Sequence, residues 1–212
     1  RFVRLSKTLE YIGNNAFLGS SSLEALFLPT TVKSIDWAAF YGCHSMRLLI
    51  LPDDIDLSNI GDQCGYGFIF STAIYRIAKA AGVDYHVGGG NYWNPREIHE
   101  WLFHHIDESP FHKFCYTSSV TTKQVNDYLD ENGNDSSVLQ TDPIHGMTPL
   151  HMLTMNPHAP AETIGALFDS NVEAVFCLDA KQNTPLEYAR GYNVGGLIGM
   201  IAGLCNHRNS SI

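Results

Sequence analysis

The first third of the chain repeats itself at a shift of 23 residues. The first copy reads I-G-x-x-A-F-x-G-x-x-x-L-x-x-L-x-L-P from Ile12 to Pro29, and the second keeps most of that pattern from Ile35 to Pro52. A partial copy precedes them, with apolar residues in register at Val3, Leu5 and Leu9. A unit of this length cannot bury its own apolar face, so neighbouring units must stack. The repeat therefore predicts a solenoid, an architecture that offers binding surfaces more often than catalytic pockets.

Each copy contains the spacing L-x-x-L-x-L, whose second half alternates as a short β-strand does. Pro29 ends that strand, because proline cannot donate the next ladder hydrogen bond. The pattern closely resembles the BspA-type leucine-rich repeat over roughly residues 2 to 62.

The register of the repeat fails after Pro52, which indicates a degenerate last coil. Ser71 or Thr72 then caps a helix over the end of the solenoid, with an apolar face of Ile74, Ile77, Ala78 and Ala81.

A different pattern occupies residues 95–212. The tetrapeptide Thr-Pro-Leu-His at 148–151 recurs as Thr-Pro-Leu-Glu at 184–187 and as Ser-Pro-Phe-His at 109–112. Ser and Thr are good helix N-caps, and proline suits the first helical position. A second helix follows each tetrapeptide, around 121–129, 161–168 and 194–204. These pairs resemble divergent ankyrin repeats, in which the tetrapeptide histidine bonds to backbone between neighbouring repeats.

Taken together, the two patterns resemble families of leucine-rich/ankyrin proteins in protists, diatoms especially. The predicted fold class is an α+β repeat protein, a short leucine-rich-repeat solenoid packed against an all-α ankyrin-like helical unit. We assign the repeats to residues 1–72, a capping helix and glycine-rich linker to 73–94, and the helical repeats to 95–212. The resemblance implies an interaction protein and names no specific partner.

Composition narrows the class of partner and compartment. The formal charge of −9 disfavours nucleic acid and anionic membrane as partners. The five cysteines are odd in number and scattered, which favours a reducing, intracellular and cytoplasmic setting. The longest apolar run, from Val194 to Cys205, is too short to span a bilayer. The chain starts at Arg1 within a repeat, so we expect it to be a fragment of a longer protein.

The densest group of potential metal ligands runs from His99 to Cys115. A zinc-protease helix needs H-E-x-x-H so that both imidazoles share one face, but Phe103 stands at the fifth position. His105, His112 and Cys115 could together hold zinc, although the repeat alignment favours structural roles. Gly88–Gly90 lacks the GK[ST] ending of a phosphate loop. We therefore predict no enzyme activity, no cofactor and no metal, with metal binding as a minor alternative.

The repeat also predicts which strand residues face solvent. Within L-x-x-L-x-L, the x positions point to the concave side, and at the 23-residue period they form two columns: Phe2, Ala25 and Leu48, then Arg4, Phe27 and Ile50. A contiguous exposed apolar patch usually marks an interface. The predicted binding surface is therefore Phe2, Arg4, Phe27, Leu48 and Ile50. The alternative is that residues 54–94 fold back over this patch.

These observations favour a protein–protein interaction scaffold whose partner is another protein, with self-association possible. The runner-up is a cell-surface adhesin, since BspA-type repeats also occur in secreted proteins. A metal-binding or hydrolytic activity through the 99–115 cluster is the third hypothesis.

Overall fold

A computed structural model describes residues 3–52, 54–56, 68–83, 95–132 and 135–210. The chain divides into two compact units, residues 1–105 and residues 106–212. The predicted glycine-rich linker at 88–90 lies outside the described residues.

Four short strands in the first unit carry the 23-residue period. They are β1 (Tyr11–Ile12), β2 (Ala25–Phe27), β3 (Ser34–Ile35) and β4 (Leu48–Ile50). β1 pairs with β3 and β2 with β4, both in parallel. Every residue in these strands pairs with the one 23 positions along, as Ala25 does with Leu48. Just before them, Arg47 Nε donates to Glu24 Oε1 over 2.8 Å, again 23 residues apart. The predicted period is confirmed.

The return segments stack by backbone hydrogen bonds. Phe17 N–H donates to Ala39 O at 2.8 Å, and Phe40 N–H donates to Phe68 O at 2.9 Å. Gly19 and Gly42 share a positive φ, and Ser71 adopts the same conformation 29 residues after Gly42. The pattern that fails after Pro52 in the sequence thus resumes with six additional residues.

Helix α1 (Ala73–Ala80) follows directly, and Thr72 is its N-cap. The Thr72 hydroxyl accepts the Tyr75 N–H at 3.1 Å. Of the predicted apolar face, Ile74 and Ala78 are buried, whereas Ile77 is half-buried and Ala81, the C-cap, is exposed. Ile74 and Ala78 belong to a continuous core with the leucines of the repeats and the fully buried Phe40.

Helix α2 (Pro95–His104) also belongs to the first unit. Ile98 and Leu102 are buried in the core formed by the repeats. Helix α2, with which the predicted helical repeats begin, therefore contributes its apolar face to the core of the first unit. The boundary between the units lies after His105.

The second unit is helical. It comprises α3 (Pro110–Tyr116), α4 (Thr122–Asn132), α5 (Asp135–Leu139), α6 (Pro149–Met155), α7 (Ala161–Ser170), a 3₁₀ helix (Val172–Phe176), α8 (Pro185–Tyr192) and α9 (Val194–Ser210). Each predicted tetrapeptide starts a helix, with N-caps Ser109, Thr148 and Thr184. α3 packs on α6 and α6 on α8, while α4 packs on α7 and α7 on α9. The three predicted helix pairs are present and stack in order.

Two asparagines connect successive pairs. The Asn156 side-chain amide donates to Cys115 O and Thr117 O at 3.1 and 2.7 Å. One pair later, the Asn193 amide donates to Asn156 O and Ala159 O. Backbone carbonyls at the ends of the helices are satisfied in this way by the next pair.

Candidate interaction surfaces

The predicted concave patch is not an exposed surface. Phe27, Leu48 and Ile50 are at most 6% exposed, so the prediction that they face solvent is wrong. Ala25, in the same columns, is also buried. Arg4 is exposed, and Phe2 lies outside the described residues.

The strands that contain this patch are buried on both faces. Helix α2 packs against β4, the strand that contains Leu48 and Ile50. The buried α2 residues Ile98 and Leu102 belong to the core cluster that contains Leu49, on the face of β4 opposite to Leu48 and Ile50. A strand with two covered faces is apolar at every position. The apolar side chains that suggested a binding face form part of the core.

A different group of aromatic side chains in the first unit is exposed. Tyr11 in β1 is 52% exposed, and Trp37, two residues after β3, is 38% exposed. Asp36 connects them, since it precedes Trp37 in the chain and accepts a hydrogen bond from the Tyr11 hydroxyl. We call Tyr11, Asp36 and Trp37 the aromatic patch.

The pairing of the repeat strands determines where the residues of this patch lie. Parallel pairing of β1 with β3 sets Tyr11 opposite Ser34, which brings the segment containing Asp36 and Trp37 alongside it. The hydrogen bond to Asp36 raises the pKa of Tyr11, so the phenol stays protonated and remains a donor. Gly13 lies beneath the Tyr11 ring, where an added Cβ would be 3.5 Å from it. The patch thus comprises a tyrosine held by its hydrogen bond to Asp36 and the exposed indole of the residue that follows Asp36.

Sequence reasoning missed the aromatic patch, although the repeat contains a signal for it. Tyr11 occupies the position that is Ser34 in the next copy, and Trp37 the position that is Asn14 in the preceding copy. Large aromatic residues therefore replace small polar ones at two positions that the repeat places next to solvent. Tyr and Trp are enriched at protein interfaces and among their energetic hot spots.

His105, His112 and Cys115, suggested as metal ligands, are described by their packing and hydrogen bonds. His105 stacks on Trp101 with ring centroids 4.3 Å apart, and His112 Nε2 donates to Gln140 O at 2.9 Å. Burial raises the pKa of the Cys115 thiol, which keeps it protonated. No group of three or more His, Cys, Asp and Glu side chains within the described ranges is arranged to hold a metal ion. The side chain of His99 lies outside the described residues.

Comparison with known protein families supports the prediction of leucine-rich repeats in the N-terminal part of the chain. Residues 1–77 match the family model described as BspA type leucine rich repeat region (6 copies). The N-terminal third carries leucine-rich repeats. The match ends within α1, so the leucine-rich repeat region includes both strand pairs and the aromatic patch. No curated protein and no solved structure matches the chain.

The ankyrin-like character of the second unit stays a prediction, since no comparison supports it. The helix pairs themselves are observed, as is the predicted backbone bond of the tetrapeptide histidine. His151 Nε2 donates to Asn183 O at 3.0 Å, while its Nδ1 accepts the Thr148 N–H. Across the described residues, no helix has both the length and the hydropathy that crossing a bilayer requires.

Proposed function

We propose that the leucine-rich repeat region is a protein-binding module and that the aromatic patch is its contact site. The observation that carries this proposal is the exposure of Tyr11 and Trp37 on a region whose family suggests protein interaction. We expect the region to act without catalysis and without a cofactor.

The chemistry of the patch suits a protein ligand. Tyrosine and tryptophan offer large rigid rings that lose little conformational entropy when a partner covers them. The bond between Tyr11 and Asp36 orients one ring in advance, which lowers the cost of binding. The Asp36 carboxylate can accept hydrogen bonds from a lysine or arginine of the partner, which suits a chain of net charge −9.

Binding to the aromatic patch is tested with the full chain immobilised and exposed to an extract of its native source. Changing both Tyr11 and Trp37 to Ala should reduce the capture of the specific partner at least about 30-fold, which is the loss of a single hot-spot contribution of about 2 kcal/mol, because two such contributions do not simply add. Leu18→Ala is the matched control, since Leu18 is also 52% exposed in the same unit but lies outside the patch.

Circular dichroism of each variant checks that the fold is retained. Equal capture by the wild type and the double variant would contradict the proposed contact site. Capture lost equally in the double variant and in Leu18→Ala would also contradict it, because the effect would not be specific to the patch.

A further inference from the structure

The ring of Tyr11 is held in place by the repeat and remains open to solvent. Ile12, the next residue of β1, is buried, so by strand alternation Tyr11 lies on the outer face. Gly13, which the ring contacts, has no side chain that would cover it. Asp36 fixes the hydroxyl end of the ring, yet 52% of the residue stays exposed. The repeat thus presents an aromatic ring on which a planar group of a partner can stack.

The hydrogen bond to Asp36 makes this ring electron-rich. A phenol hydroxyl that donates to a carboxylate is polarised by the negative charge. The face of an aromatic ring already carries negative potential, and this polarisation adds to it. The same hydrogen bond raises the pKa of Tyr11, so the phenol stays neutral and continues to donate. The ring and the carboxylate therefore both attract a cation to this place.

A partner that covers the aromatic patch must also satisfy the Asp36 carboxylate. A carboxylate has about four lone-pair sites, and the Tyr11 hydroxyl takes one of them. Covering the others with apolar surface would bury a charge without a cation, which is strongly unfavourable. The charged residues that precede β1 and β3 do not alter this balance. Glu10 and Lys33 are opposite in sign and lie in register, since Lys33 N–H donates to Glu10 O at 2.8 Å. The partner must therefore bring a positive charge to Asp36.

Among cationic side chains, arginine suits a ring with a carboxylate at its hydroxyl end. Its guanidinium is planar, so it stacks on an aromatic face, and its N–H donors point outward in the same plane toward a carboxylate. It is also more weakly hydrated than an ammonium group, so covering it costs less. A lysine ammonium is a strongly hydrated point charge that cannot stack. Tyr11 and Asp36 together therefore favour arginine over lysine.

We propose that the aromatic patch binds an arginine side chain of the partner protein. The guanidinium stacks on the exposed ring of Tyr11 and donates hydrogen bonds to the Asp36 carboxylate, while the exposed indole of Trp37 contacts the residues around that arginine. This inference rests on the proposed function and deepens it, because it names the chemistry that the contact site selects in its partner.

Titration of the isotope-labelled full chain with short capped peptides tests the arginine site. The peptides are acetyl-Gly-X-Gly-amide, where X is arginine, lysine or citrulline, and citrulline has the shape of arginine without its charge. Amide resonances of Tyr11 and Asp36 report binding at about 0.15 M salt, which screens the general attraction of a chain of net charge −9. The arginine peptide should bind at least about 10-fold more tightly than the citrulline peptide, with the lysine peptide between them. Equal affinities for arginine and citrulline, or a preference for lysine, would overturn the proposal.

Matched variants assign the preference to the patch. Asp36→Asn removes the charge but keeps an oxygen that can accept the Tyr11 hydroxyl, and it should reduce the preference for arginine over citrulline to about 3-fold. Asp54→Asn is the control, since Asp54 is an exposed acid of the same unit outside the patch, and it should keep the full preference. A preference that survives Asp36→Asn, or that falls equally in Asp54→Asn, overturns the arginine site.

Tyr11→Leu covers the case in which Asp36→Asn fails to fold. It changes an exposed residue, keeps an apolar side chain and removes the aromatic face, so the preference for arginine over lysine should disappear. A preference retained in Tyr11→Leu contradicts stacking on this ring.

The capture experiment separates this inference from the proposed function. Arginine and citrulline peptides that bind alike, with capture still lost in the double Tyr11 and Trp37 variant, would overturn the arginine site and leave the contact site intact. Unchanged capture in that double variant would overturn the contact site itself.

Discussion

Apolar residues at regular positions are buried in the first unit and exposed in the second. In the first unit, Phe27 and Ile50 occupy positions that a leucine-rich repeat usually exposes, and both are buried. In the second unit, Ile198 and Ile201 lie in a continuous apolar run, and both are exposed. A repeat defines where a residue lies within its own unit. Whether that residue is buried depends on what packs over the unit.

The two units differ in how completely these apolar residues are covered. In the first unit every residue of β2 and β4 is buried, so both faces of these strands are covered. On α9, Gly196 and Gly203 pack closely against α7, and the opposite side of the helix is exposed. Regularly spaced apolar residues are therefore part of a core in one unit and an exposed surface in the other.

The largest expected effect comes from placing charge on the buried strand positions. Phe27→Glu with Ile50→Glu should unfold the first unit, because burying two unpaired carboxylates costs at least about 5 kcal/mol. Ser21→Glu with Thr30→Glu adds the same charge at exposed positions and should leave stability nearly unchanged. Urea denaturation followed by circular dichroism compares the two variants. Equal midpoints would mean that the strand face is exposed after all.

Aromatic truncation in the repeats should produce the next largest effect. Phe40 is fully buried, and its ring lies 5.5 Å from that of Phe17 and 6.0 Å from that of Phe68. Phe40→Ala should lower the free energy of unfolding by about 3–5 kcal/mol. Phe17 is only half-buried, so Phe17→Ala should cost about 1–3 kcal/mol. An equal loss in both variants would show that burial does not distinguish these two repeat positions.

The smallest expected effect is that of low pH, which should lower the stability of the second unit more than that of the first. Burial lowers the pKa of His112, an effect that outweighs the opposing charge of Asp142. The unfolded state therefore binds a proton more readily, and stability falls as pH drops below the ordinary histidine value of about 6.5. The loss from this one group is at most about 1.4 kcal/mol per pH unit.

Unfolding midpoints at several pH values check the acid effect, with tryptophan fluorescence reporting the first unit and circular dichroism the whole chain. His112→Gln should flatten the pH dependence, because the glutamine amide can still donate to Gln140 O. His44→Gln is the control, since His44 is exposed in the first unit. An identical pH profile in His112→Gln and the wild type would rule out this histidine as the source.

Much of the fold was predictable from local pattern. The 23-residue register, the N-cap at Thr72 and the helices after each tetrapeptide depend on residues close together in sequence. The position of α2 was not predictable in this way. Its apolar face is equally consistent with a first helix of the second unit and with a cover for the repeats, and only tertiary packing distinguishes the two.

The candidate site was harder to predict for the same reason. Phe27 and Ile50 stood out because they were apolar at positions expected to be polar, yet an apolar residue there is equally compatible with a second buried face. The repeat pattern does not single out Tyr11 and Trp37, although each replaces a small polar residue of the neighbouring repeat. Exposure depends on the covering elements, and the repeat pattern contains no information about them.

Cysteine accessibility tests the contrast between the two faces most directly. Ile50→Cys and Ile201→Cys are made separately in a chain in which Cys64, Cys177 and Cys205 are replaced by Ser. The rate of reaction with a maleimide is then measured in dilute, native solution. We predict that Cys at position 201 reacts nearly as fast as in the unfolded chain, while Cys at position 50 reacts only when urea unfolds the first unit. Rapid labelling at position 50 in the native protein, or protection at position 201 at the lowest concentration, would contradict the account.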